Sequence, residues 1–170
     1  MQQNPTPSLR RFITAAVLVA SWPVISFAAS PATPKKLVII AGNPSHPPGM
    51  HEFHAGSLLL QKCLAGVPGL EVSVHPNHWV SDENVLDTAD AVVIYADGGN
   101  WHPVLAAPGR KEKIQKLVDR GGGVMMMHYA VDGADHNKDQ GASGDAFRDW
   151  IGGAYENPYS CNPIWEAAYQ

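Results

Sequence analysis

Short, uninterrupted apolar runs separated by helix-like segments constrain this fold more than any other feature. Leu37-Val38-Ile39-Ile40-Ala41 is continuous, rich in β-branched residues, and ends at Gly42. A strand that is apolar on both faces has to be covered on both, which is the pattern of a parallel sheet. Ala91-Val92-Val93-Ile94-Tyr95 and Gly123-Val124-Met125-Met126-Met127-His128 repeat it, and Leu70 to His75 alternates as a shorter strand. Between the first two strands, Leu59, Leu60, Cys63 and Leu64 recur at helical spacing within residues 53 to 66, and Gly66 and Pro68 stop that helix. Residues 110 to 119 place Ile114, Leu117 and Val118 on one face with Lys and Glu opposite, and Gly121 ends them. Residues 143 to 151 predict another helix, with Phe147, Trp150 and Ile151 inward and Gly152 as its stop.

This repetition of strand, helix and strand predicts an α/β fold: a flavodoxin-like, three-layer parallel sheet of order 2-1-3-4, with a fifth strand expected beyond. After residue 152 come Pro, Asn, Tyr and Trp residues in loop-like order. The domain is therefore expected to be incomplete at its C-terminal end. The alternative is that the last residues cover the sheet edge.

The segment before the first strand reads as an address. Arg10 and Arg11 form a positive stretch, Phe12 to Phe27 is largely apolar, and Ser26-Phe27-Ala28 has the small-x-small form of a cleavage site. The strongly apolar core, Phe12 to Ala20, is short for a bilayer span. Residues 1–28 are thus expected to be a cleaved signal peptide and 29–35 a linker, with the α/β domain in 36–170. An exported protein, periplasmic or extracellular, follows from that reading. Membrane contact would come only through an uncleaved leader. Phe12 follows the two arginines directly, which argues against twin-arginine export. The whole chain has a net charge of -4, and losing the leader would remove two arginines and no acid. An acidic balance of this kind argues against a nucleic-acid partner. Two cysteines cannot build a disulfide framework or a four-thiolate zinc site.

The histidines carry the functional argument. In a doubly wound sheet, ligands sit beyond the carboxyl ends of the strands, where the strand order reverses. His46 and His51 fall in the loop after the first strand, and His54 lies just inside the next helix. His102 follows the third strand, His128 ends the fourth, and His136 lies soon after it. Six of the eight histidines therefore belong to that rim, while His75 and His78 follow the second strand. His51, His102 and His128 come from three different loops and can converge as ligands for zinc or another divalent metal. Histidine serves equally as a general base without any metal, and these residues do not separate the two. Asp97, in the loop after the third strand, stands on the same rim and is, with His128, a catalytic candidate. Gly98, Gly99, Trp101 and Tyr129 are candidate substrate-binding residues, the glycines through close backbone approach and the aromatics by stacking on a sugar ring. Glu52 reads as a charge at a helix N-terminus.

Other chemistries are excluded. The sequence has no G-x-G-x-x-G and no G-x-x-x-x-G-K-[ST], so no nucleotide cofactor is expected. Gly121-Gly122-Gly123 reads as a helix cap leading into a strand. The turn Met126-Met127-His128-Tyr129-Ala130 lies where a nucleophile elbow would be, and it holds neither Ser nor Cys. Cys63 falls on the helix face taken as apolar, and Cys161 lies in the terminal loop. Covalent Ser or Cys chemistry, whether amidotransferase or hydrolase, is not expected.

From about Lys36 to its end the chain resembles the ThuA-like (trehalose utilisation) domain family, a branch of the class I glutamine amidotransferase-like fold. The resemblance rests on Gly49-Met50-His51-Glu52, on Asp97-Gly98-Gly99 with His102, and on Gly123-Val124-Met125-Met126-Met127-His128. In that family a His stands where glutamine amidotransferases keep their Cys, and His128 fits this position. The resemblance implies carbohydrate metabolism, with a small-molecule sugar as partner. Three functions follow as expectations. The first is an exported enzyme acting on a sugar or oxidised sugar in a His-lined cleft. The second is a non-catalytic sugar-binding module. The third is an interaction domain of a longer envelope protein.

Overall fold

The computed structural model describes residues 33–133, 142–156, 160, 161 and 168. The expected leader, most of the linker, and Asp135 and His136 lie outside the described residues. Among the described residues four strands form one sheet: β1 (Lys35–Ala41), β2 (Leu70–His75), β3 (Ala91–Tyr95) and β4 (Gly123–Met127). All are parallel, in the order β2-β1-β3-β4. This is the α/β, flavodoxin-like arrangement that the apolar runs predicted. β1 starts two residues before the apolar run, at Lys35, whose amide donates to the Gly69 carbonyl at 2.8 Å.

Helices lie on both faces, but β4 is not covered on both as its apolar run predicted: Met125 is 53% exposed. On one side α1 (Phe53–Leu64) packs on β1 and β2. On the other side α2 (Asn84–Thr88), α3 (Arg110–Asp119) and α4 (Ala142–Ile151) close a core with Val38, Ile40, Val92, Ile94 and Met126 from the sheet. Ile114 and Leu117 of α3 and Phe147 of α4 are fully buried in it, as their spacing predicted. Gly121, at φ 86, ends α3 in the left-handed region, where glycine carries no steric cost.

Two readings of the helices are corrected. The buried face of α1 is Phe53 and Ser57, with Gly56 against the Tyr95 ring, whereas Leu59 is 61% exposed and Cys63 is exposed too. The apolar residues of this helix wrap around it, so their spacing alone does not choose the inward side. α2 was not foreseen, because five residues with one buried side chain, Leu86, carry no periodicity. Arg120 from the end of α3 completes it, donating to the Leu86 and Ala89 carbonyls at 2.5 and 2.6 Å. Such end carbonyls have no partner inside a helix. No described helix is long and apolar enough to cross a membrane.

Candidate functional site

β1, β3 and β4 end level with one another, because Ala41 pairs with Tyr95 and Tyr95 with Met127. The residues that follow each strand therefore emerge together. Gly42 is required at this point: a Cβ there would stand 2.7 Å from the Ala96 Cβ. Beyond it runs the loop Asn43-Pro44-Ser45-His46-Pro47-Pro48-Gly49-Met50-His51-Glu52. Glu52 fastens this loop by accepting the Gly49 amide at 2.6 Å, a local role close to the helix-end charge expected of it.

Asp97, just past β3, lies between two imidazoles. His51 Nδ1 stands 3.3 Å from one carboxylate oxygen, and His128 Nδ1 stands 3.5 Å from the other. The two rings meet edge to face, with centroids 4.6 Å apart. His128 takes φ 62 at the turn where β4 enters a short 3-10 helix (His128–Val131). A non-glycine residue there costs about 1–3 kcal/mol, and such strain gathers at functional turns. Partial burial, and then the neighbouring His51, hold the His128 imidazole below its ordinary pKa, while Asp97 pulls the other way. At neutral pH it is an unprotonated base beside a carboxylate.

These groups line a cleft of about 730 Å3, together with Ser45, His46, Gly98, Asn100, Trp101, Tyr129 and Asp132, a size that suits a small ligand. The Ser45 hydroxyl lies 3.0 Å from His46 Nδ1 and 2.9 Å from His51 Nδ1. The His46 and His51 rings approach to 3.8 Å between centroids. One ligand atom from each of His46, His51 and Asp97 lies within 4.8 Å of the others, so this group can hold a metal ion. Trp101 stands at the rim, 60% exposed. The Tyr129 phenol is pushed up to about 12, chiefly by burial and then by its hydrogen bond with Tyr155. It stays protonated and able to donate at working pH.

Three sequence candidates fall elsewhere. His102 is fully buried: its Nδ1 accepts the Val104 amide at 3.1 Å, and its Nε2 bonds the Ala130 carbonyl at 3.0 Å. Both ring nitrogens are occupied, so it cannot join His51 and His128 on a metal. Gly99 sits behind the cleft, with its amide donating to the Asp132 carbonyl at 2.9 Å. His54, placed on the rim with the other histidines, is exposed outside the cleft. Gly98 lines the cleft as expected, but a Cβ on it would come within 2.4 Å of the Asp132 Cβ and the Tyr129 carbonyl oxygen. Its smallness serves loop packing first. Ser45, Asn100 and Asp132 were not singled out, because an isolated polar residue on a loop carries no spacing signal.

No family model matches the chain, and no curated protein matches it. Among solved structures it is similar to a protein of Bacteroides uniformis ATCC 8492 provisionally described as ThuA-like, with a TM-score of 0.51 and 13% sequence identity. The likeness covers 78% of this chain and 48% of that protein, so the chain spans about half of its length. At this identity the likeness shows the fold alone, and that fold is the ThuA-like α/β arrangement.

Proposed function

We propose that the chain is an exported carbohydrate-processing protein that acts on a sugar or an oxidised sugar in the His-lined cleft. The observation that carries this reading is the Asp97 carboxylate between His51 and His128, at the carboxyl ends of parallel strands. In this reading His128 exchanges a proton with a hydroxyl, or with the carbon beside a carbonyl. Asp97 orients it and stabilises the imidazolium that forms, a role carboxylates play for catalytic histidines in general. Trp101 offers an apolar plane to the C–H face of a sugar, and Tyr129 offers a hydroxyl donor. The absence of Ser or Cys at the β4 turn removes covalent acyl chemistry from the candidates. The ThuA-like likeness supports the sugar class and supplies no reaction.

Calorimetric titration and turnover with a panel of sugars and keto-sugars test this. The expected outcome is that His128→Asn still binds the sugar and loses about 100-fold or more in turnover. Binding without turnover in the native chain would make it a sugar-binding module instead. A folded chain that binds none of the panel would overturn the carbohydrate reading.

A further inference from the structure

We propose that His46, His51 and Asp97 hold one divalent first-row transition-metal ion, with open coordination positions that bind the α-hydroxycarbonyl unit of an oxidised sugar through its two neighbouring oxygens. The inference deepens the reading above and rests on the same cleft. It also replaces the ligand set expected from the sequence, since His102 is built into the core.

The geometry is close to what an ion needs. With bonds of about 2.0–2.1 Å, ligand atoms of one ion lie about 3.3 Å apart in a tetrahedron and about 4.2 Å apart when opposed. The three candidate atoms already lie within 4.8 Å of one another. His46, the exposed member of the group, has the freedom to close onto an ion. The donor set, two imidazoles and one carboxylate, suits zinc or ferrous iron and leaves positions free. Magnesium and calcium prefer all-oxygen surroundings.

The surroundings look built for this purpose. His46 is exposed, yet its ring is held 3.8 Å from that of His51. Pro44, Pro47 and Pro48 restrict the loop that carries it, and the Glu52 contact with the Gly49 amide closes that loop. The Ser45 hydroxyl lies between the two Nδ1 atoms and orients both rings. The Asp97 oxygen that does not face His51 faces His128, and a metal-ligating carboxylate is commonly steadied by such an outer partner. An ion here would sit in the cleft that Trp101 also lines, where a sugar ring stacked on the indole can present adjacent oxygens. An α-hydroxycarbonyl chelates a divalent ion more strongly than isolated hydroxyls do, which is why the oxidised sugar is the class inferred.

The test uses the full chain, stripped with a chelator and titrated with Co2+ under visible absorption, with Zn2+ content measured by elemental analysis after dialysis. One ion per chain is expected, with affinity reduced about tenfold or more in His46→Ala and Asp97→Asn. His54→Ala, which lies outside the cleft, leaves it unchanged, and His128→Asn retains the ion. Dihydroxyacetone, the simplest probe of the class, then shifts the Co2+ spectrum. A natively folded chain that takes up no ion overturns the proposal, as does uptake that is the same in His46→Ala. If the ion is absent but sugar turnover still depends on His128, the metal site fails and the functional reading stands. If the ion binds but no sugar in the panel does, the metal site stands and the carbohydrate reading fails.

Discussion

The His102 ring has both nitrogens occupied inside the core, and burial pushes its pKa down to about 3. The unfolded chain, with an ordinary histidine near 6.5, binds the extra proton between those two values. Its contribution to stability is therefore complete above about pH 6.5 and is lost progressively as the pH falls toward 3. One proton corresponds to a slope of about 1.4 kcal/mol per pH unit. His75 and His78 are also lowered by burial and act in the same direction, and a charged His78 further disfavours a charge on His102. Urea unfolding at pH 7, 6 and 5 should show stability falling with pH, with the slope about one proton smaller in His102→Gln. Equal slopes in the two proteins would show that His102 does not titrate on unfolding. His46 contrasts with it: an equally polar ring on a loop stays exposed and available to a ligand.

At the scale of elements, the loops after β3 and β4 are fastened to each other as well as to the sheet. Gly99 donates to the Asp132 carbonyl, Asp132 donates to the Tyr129 carbonyl, and Gly98 fits beneath both residues. A methyl group at residue 98 meets a backbone oxygen that cannot rotate away. Gly98→Ala should therefore cost about 1–3 kcal/mol and separate Asp97 from His128. Gly66→Ala, where a Cβ meets nothing within 4 Å, is the control and should cost little. Thermal melts of the two variants decide this, and equal melting temperatures would refute the packing role. This contact was invisible in the sequence, where the glycine pair read as room for a ligand. The helix on the other face of the sheet, α1, makes a related point. Its inward side is chosen by Gly56 meeting Tyr95 and by the burial of Phe53 and Ser57, and leucine spacing pointed elsewhere.

For the whole molecule, Phe147 ties the site to the core. Its ring lies 4.9 Å from that of His102 and 5.6 Å from that of Trp150, and it is fully buried. A Cβ at Gly133 would stand 2.8 Å from it, so the chain after the β4 turn also packs on this ring. The Trp150 indole in turn donates to Gln115 of α3 at 2.8 Å. Phe147→Ala should cost about 3–5 kcal/mol in urea unfolding, the usual range for emptying an aromatic site. If the proposed sugar chemistry holds, turnover should fall as well, because the framework behind the β3 and β4 loops loosens. A loss below about 1 kcal/mol would show that α4 contributes little to this core.

Sheet class, strand order and three of the four described α-helices were legible in the sequence, because a buried strand must be apolar on both faces and a helix repeats every 3.6 residues. The meeting of His51, Asp97 and His128 was legible in part, because parallel strands carry their following residues to one edge. Which histidines face the cleft was decided only in three dimensions. His102 and His46 carry the same side chain on neighbouring loops, yet one completes two backbone hydrogen bonds in the core and the other stands beside His51. Side-chain direction depends on the packing of residues far apart in the chain, such as Phe147 against His102 and Asp132 against Gly98, and no local pattern encodes that packing.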